Sequence, residues 1–266
     1  MRNLLKIIPS NLMFAICIGF LIRVLFGFIF YGSYDITYVT LYSLATNCGI
    51  HIYEGTNYPH PPGWYYLFTT MYALEPVLNL PLYYLTKSFA IIADSIIIVF
   101  LFVISKNHSN RNTALLYALS PVSIIISSLH GQQDSIILLF LLLSALIFLT
   151  KKTLSIISGS ISFGIMLFYK LWPIFLIPSF LILLHSNKKR TLFLFIIGLM
   201  TLLIFFPFLS SSHALYVNVL QYSSSGDFGL NIFLPFFPFK EFVYSHIVPL
   251  NKWFILFGSF CIALII

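Results

Sequence analysis

The sequence predicts an all-α protein, a polytopic bundle of about eight to nine apolar helices set in a membrane. Three observations lead there. Hydrophobic residues make up 59% of the chain and charged residues 8%, against about 25% charged in an ordinary soluble domain. The apolar residues gather in runs near the ~20 residues with which a helix crosses the hydrocarbon. The ~10-residue segments of alternating polarity that build a transmembrane barrel are not seen.

The runs lie at roughly 12–31, 61–79, 83–105, 113–129, 135–150, 154–169, 171–185, 191–209 and 252–266. The first has a basic flank like that of a signal peptide, but it continues past Arg23 to Tyr31 without a small-residue cleavage site, and so predicts an uncleaved helix. After it, Tyr38, Leu41, Tyr42 and Ala45 recur at i, i+3, i+4 and i+7, and Gly49 follows as a stop signal. They predict a short helix lying in the interface. Tyr58-Pro59-His60-Pro61-Pro62 then forms a stiff lead into the second run, with proline at a helix start, where its missing N–H costs least. Glu75-Pro76 is expected to interrupt that run after about a dozen residues. The chain stops at Ile266 inside an apolar run, so a lost C-terminus is expected.

Charge assigns the sides. There are 14 Lys and Arg against 7 Asp and Glu. In a soluble protein this balance would suggest nucleic acid, but here the basic residues sit between runs, as Arg2/Lys6, Lys106/Arg111, Lys151/Lys152 and Lys188/Lys189/Arg190, and read as topology determinants. With the N-terminus cytoplasmic, the loop at about 32–60, free of Lys and Arg, lies outside. Every later basic cluster is also cytoplasmic if 61–105 crosses an odd number of times, so that one of its two runs, the one after Pro61-Pro62, does not span. His130-Gly131-Gln132-Gln133-Asp134 and the polar stretch at about 210–248 then fall outside too. The expectation is a single integral membrane domain over residues 1–266 of a cell membrane. Three cysteines, Cys17, Cys48 and Cys261, offer no disulfide framework and no CxxC pair.

The ordered set formed by Asp35 directly after the first helix, an interfacial helix, Tyr58-Pro59-His60-Pro61-Pro62, Gly131-Gln132-Gln133-Asp134 and Lys170-Leu171-Trp172-Pro173 resembles the GT-C polytopic glycosyltransferases. It is most similar to the mannosyltransferase group related to the GPI-anchor second mannosyltransferase, over roughly residues 12–185. The resemblance implies a polyprenyl-phosphate-linked sugar as donor, a lipid or glycan as acceptor, and Asp35 as catalytic base.

The chemistry suits the residues as well. A sugar already on phosphate has a good leaving group, so one base to deprotonate the acceptor hydroxyl can suffice where a glycosidase uses two carboxyls. Asp35 is placed for that work, and equally for capping the short helix that follows. Charge builds on the phosphate as the bond breaks and calls for a cation. Lys170, Arg23 and Lys87 are the candidates. Arg23 lies mid-run, where a charge in lipid costs about 2.5–3.5 kcal/mol, so it must face a polar interior or a partner such as Asp94. Lys170 could instead snorkel to the interface. Lys87 and Asp94, seven apart on one helical face, read as a structural pair.

In the 130–134 turn, His130, Gln132, Gln133 and Asp134 offer an imidazole, two amides and a carboxylate for sugar hydroxyls, while Asp134-Ser135 could equally cap a helix. His60 and Tyr58 are sugar or acceptor candidates, with Trp64 and Tyr65 as stacking surfaces. A divalent metal on His60, His130 and Asp35 or Asp134 is compatible with the residue types, though no HExxH spacing is present. Glu54 and Asp227 read as solvated loop acids. Two other functions stay open: a transporter or lipid flippase, which no repeat of broken helices in the two halves supports, and an inactive fragment of a larger glycosyltransferase.

Overall fold

The computed structural model describes residues 10–30, 34–105, 113–150 and 153–220. Among these the chain is helical, with no strand. The helices are α1 Ser10–Ile29, α2 Tyr34–Asn47, α3 Ile52–Gly55, α4 Pro62–Leu78, α5 Leu82–Ser105, α6 Thr113–Ala118, α7 Pro121–Ile124, α8 Asp134–Leu149, α9 Thr153–Tyr169, α10 Ile177–Leu183, α11 Asn187–Phe205 and α12 Ser212–Leu215. π turns, Ile125–Leu129 and Tyr216–Leu220, extend α7 and α12; 3-10 turns, Trp172–Leu176 and Phe206–Ser211, precede α10 and α12. The apolar run at 252–266 and the polar stretch from 221 onward lie outside the described residues.

The stretches Leu82–Ile104 and Asn187–Val219 are long and apolar enough to cross a membrane. The shorter apolar helices, Ile16–Ile29, Asp134–Leu149, Ser155–Tyr169 and Trp172–Leu183, surround them, and large apolar side chains such as Phe14, Leu25, Val103, Leu149, Phe195 and Leu203 are exposed. Exposed apolar surface on this scale suits contact with lipid or with a protein partner.

Close contacts set the direction of each helix. Along α1, Gly19 abuts Ile98 and Ala118, and Gly27 abuts Ile91 and the Ser128 carbonyl; α1 therefore runs against α5 and with the α6–α7 segment. Ser144 bonds Gly159 O at 2.9 Å, Ser162 bonds Phe140 O at 2.9 Å, and Asp134 meets Lys170, so α8 and α9 form an antiparallel hairpin. Gln133 Nε2 reaches Thr86 O at 2.7 Å, which places the start of α5 beside the start of α8. One end of the bundle thus gathers residues 30, 82–87, 128–134 and 168–172. The other gathers the ends of α5, α8 and α10 and the start of α11, which carries Lys188, Lys189 and Arg190. There Arg190 Nε caps α10 through Leu181 O and Leu184 O, at 2.9 and 2.7 Å.

Helix α4 is the exception to this alternation. Gly63, in its first turn, lies so close to the Phe168 carbonyl that a Cβ there would collide with it. Met71 Sδ accepts from Thr86 Oγ1 at 3.5 Å, and Glu75 Oε1 accepts from the Leu82 N–H at 3.1 Å. Both ends of this 17-residue helix are therefore held at the same end of the bundle, and α4 lies across it. The expected break at Glu75-Pro76 does not occur. Pro76 falls in the last turn, where its missing N–H removes a single helix bond, and Asn79 at φ 51° stops the helix three residues later.

Helix α2 is longer than its periodicity suggested, and it ends as the sequence predicts. Gly49 at φ 76° donates to Thr46 O at 2.9 Å, and Ile50 donates to Ala45 O at 3.0 Å. This is the paired closure of a Schellman motif.

The apolar run at 113–129 is broken instead of continuous. Pro121 begins α7, Ser120 Oγ accepts from the Ser123 N–H at 3.4 Å, and Pro121 has no N–H for the Tyr117 carbonyl. The Ser120 N–H turns to that carbonyl at 3.1 Å, and Arg23 adds further donors at the break. Its guanidinium donates to Tyr117 O at 3.3 Å, Ala118 O at 2.8 Å and Gly19 O at 3.0 Å, to Ser123 Oγ, and to Asp94 at 2.8 Å. Irregular backbone at membrane depth persists only where such partners satisfy it.

Candidate active site

The site is built where α4, the 130–134 turn and the end of α9 meet. Gly131 at φ 66° allows the chain to turn from the π segment into α8, a conformation that costs glycine little. Asp134 is the first residue of α8, and Lys170 follows the last residue of α9. The hairpin geometry brings Lys170 Nζ to 2.6 Å from Asp134 Oδ1, with the side chains 27% and 33% exposed. This pair is partly exposed, unlike Arg23–Asp94, where both side chains are fully buried.

His60 lies close enough to the pair to feel both of its charges. Tyr53 Oη donates to its backbone carbonyl at 2.9 Å, and its ring lies between Tyr58, edge-on at 5.7 Å, and Trp64 at 6.1 Å. Burial pushes the imidazole down to about 4, the Lys170 cation pushes the same way, and the Asp134 carboxylate opposes them. At neutral pH His60 is therefore uncharged, with one ring nitrogen to donate and one to accept. Trp64 packs edge-to-face on Tyr169 at 5.3 Å and stacks on Phe68 at 5.6 Å. Tyr53 and Tyr58 are held protonated, their hydroxyls raised chiefly by burial.

Polar atoms without partners collect in this layer. Among the described residues, Trp64 Nε1 and Gln133 Oε1 are buried and make no hydrogen bond, while the buried Tyr58 Oη is near the Tyr65 backbone N–H; a third unpartnered atom, Ser179 Oγ, is in α10. Each unsatisfied buried group costs about 1–3 kcal/mol, which a globular core avoids and a binding site tolerates. Gln133 is oriented without ambiguity: its amide nitrogen must face the Thr86 carbonyl, which leaves the oxygen free.

The candidates separate by position. His60, Tyr58, Gln133, Asp134 and Lys170 share this layer, and His130 and Gln132 are half-buried in the adjoining turn. Arg23 lies deep in the bundle with its nitrogens engaged by protein acceptors, away from the Asp134–Lys170 pair. Lys87 does not pair with Asp94. It caps α1, donating to Gly27 O at 3.2 Å and Phe30 O at 2.6 Å, while Asp94 holds Arg23 and accepts from Tyr117 Oη at 2.7 Å. Asp35 is the second residue of α2, and its side chain lies outside the described residues.

Tyr53 and Tyr169 belong to the layer and were not singled out by the sequence; the aromatic density on both sides of the prolines was the available signal. Glu54 is exposed, as expected of a solvated acid, and it also accepts from the nearly buried Ser211 Oγ at 2.6 Å. Among the described residues no three His, Cys, Asp or Glu side chains gather to hold a metal ion. Asp134, a ligand candidate, faces the Lys170 ammonium.

The sequence profile of glycosyltransferase family 87 matches residues 58–238. The chain belongs to glycosyltransferase family 87. The match covers more than half of the chain and begins at Tyr58, so it contains His60, Trp64, the 130–134 turn and Lys170 and leaves Asp35 outside. Comparisons with curated proteins and with solved structures found no match. Family membership makes the layer around Asp134 and Lys170 the candidate site of a glycosyltransferase, and with the lipid-compatible surface it describes a membrane enzyme.

Proposed function

We propose that this family 87 member is a multi-pass membrane glycosyltransferase. It moves a hexose, mannose being the first candidate, from a polyprenyl-phosphate donor to a lipid or glycan on the extracytoplasmic face. One observation carries the reading: a half-exposed cation, Lys170, is paired with Asp134 beside an uncharged His60, at the end of the bundle opposite Lys188-Lys189-Arg190. Basic clusters favour the cytoplasm, so the site end faces outward and the N-terminus inward. In the sequence Lys106 and Arg111 fall between α5 and α6, and Lys151 and Lys152 between α8 and α9. With α4 lying across, the chain makes an odd number of passes between residues 61 and 105, as the charge count requires.

In this reading Lys170 receives the donor phosphate, since an anion can displace or share the Asp134 carboxylate at a half-open pair. The cation then stabilises charge that grows on the leaving phosphate. Asp35, at the head of α2, takes the proton from the acceptor hydroxyl as its oxygen attacks the anomeric carbon, and the C–O bond to phosphate breaks. The relation to the GPI-anchor mannosyltransferase group rests on the ordered motifs described above. A transporter forms no covalent product, which makes the test direct. Membranes containing the protein are incubated with labelled polyprenyl-phosphate mannose and glucose. Wild type is expected to move label to a lipid or glycan product, and Asp35→Asn to lose that transfer while inserting normally. Undiminished turnover in Asp35→Asn would remove Asp35 as the base; vesicle uptake with no covalent product would point to the transporter.

A further inference from the structure

Two polar atoms of the site layer have no place in the reaction just described. Trp64 Nε1 is a donor and Gln133 Oε1 an acceptor; both residues are 3% exposed, and neither atom has a hydrogen-bond partner. They belong to different elements. Gln133 precedes Asp134 in the chain, with its amide nitrogen fixed on Thr86 O, and Trp64 packs against Tyr169, the residue before Lys170, as well as His60.

We propose that Trp64 Nε1 and Gln133 Oε1 are the groups that recognise hydroxyls of the transferred hexose, and so determine which sugar the enzyme accepts. The inference rests on the transferase reading and deepens it. A hydroxyl both donates and accepts, so a buried N–H and a buried carbonyl oxygen on residues that adjoin the Asp134–Lys170 pair or pack against its neighbours suit a pyranose whose phosphate Lys170 would hold. The indole adds an aromatic face of the kind on which sugar C–H groups pack. Leaving such atoms unpaired without ligand yields selectivity: a sugar lacking the matching hydroxyl leaves them unpaired after binding too, and is rejected.

The test uses the full chain in lipid nanodiscs with 15N-indole tryptophan. Three tryptophans give three indole resonances, and Trp64→Phe, which keeps an aromatic ring against His60 and Tyr169, assigns that of Trp64. Polyprenyl-phosphate mannose, glucose and their single-deoxy analogues are added in turn, and kcat/KM for transfer is measured with the same donors. The Trp64 resonance is expected to shift with one of the hexoses and not with the analogue lacking the recognised hydroxyl. Wild type is expected to disfavour that analogue by about 100-fold, and Trp64→Phe or Gln133→Met to reduce the preference at least tenfold. A resonance that ignores every donor, or responds alike to hexose and all deoxy analogues while transfer proceeds, overturns the inference and leaves the transferase reading standing. A hydroxyl-dependent shift without any transfer keeps the sugar site and removes the transferase reading.

Discussion

At the scale of single residues the two ion pairs do different work because they lie at different depths. Arg23 and Asp94 are fully buried, and removing one partner strands a charge, which costs about 3–5 kcal/mol. Arg23→Met is therefore expected to lower the folded yield and the thermal midpoint in detergent, and Arg23→Met with Asp94→Leu to recover part of the loss. Lys170→Met should instead leave the midpoint nearly unchanged, since half-exposed pairs contribute about 1 kcal/mol or less, and reduce transfer by roughly 100- to 1000-fold. A Lys170→Met protein with wild-type turnover would dismiss the phosphate contact.

His60 supplies a pH dependence. Its folded value, about 4, lies below its ordinary 6.5, so between these values the unfolded chain binds more protons. Its contribution is present in full above about pH 6.5 and lost as pH falls toward 4, amounting to roughly 2 kcal/mol after allowance for partial exposure. His60→Gln is expected to flatten the fall of the thermal midpoint between pH 6.5 and 4.5. An NMR titration of the imidazole should show no charging above pH 5.

At the scale of elements, α4 and the α6–α7 break are the informative pieces. If α4 lies across the site end, cysteines introduced at positions 60 and 80 should both react with an impermeant thiol reagent added from one side of sealed vesicles. Reaction from opposite sides would make α4 a crossing helix. The same helix depends on Gly63, where any side chain meets the Phe168 carbonyl. Gly63→Val is expected to push α4 off α9 and to abolish transfer, because Trp64 and His60 move with it. Gly49, at φ 76° with open space around it, should tolerate alanine at a cost of only about 1 kcal/mol, the strain of the left-handed conformation.

The α6–α7 break shows why sequence periodicity alone misled. An apolar run at 113–129 reads as one helix, and Pro121 is an interruption whose effect depends on whether the freed carbonyls find donors. Arg23, almost a hundred residues away in the chain, adds donors there. At Glu75-Pro76 the reverse happened, and a proline expected to end a helix was absorbed in its last turn.

For the molecule as a whole, the end-to-end sorting of charge is the organising fact. It predicts that a cysteine at position 134 is labelled from the outside and one at position 188 from the cytoplasm; labelling of both from one side would dissolve the proposed orientation together with the shared site. Sequence by itself determined the class of fold, the bounds of most helices and the αL stop at Gly49. Each of these follows from local periodicity and from glycine and proline chemistry. The members of the 130–134 turn, His60 and Lys170 were legible as candidates because polar groups are rare in so apolar a chain.

Tertiary structure alone decided which cation meets which acid. Arg23, Lys87 and Lys170 are indistinguishable in composition, and their partners come from helices 36 to about 100 residues distant. Only packing could assign Arg23 to the carbonyls at the Pro121 break, Lys87 to the end of α1, and Lys170 to Asp134 beside an uncharged histidine. It also revealed which polar atoms remain unpaired, because an orphaned donor or acceptor is defined by neighbours that no local stretch of sequence contains.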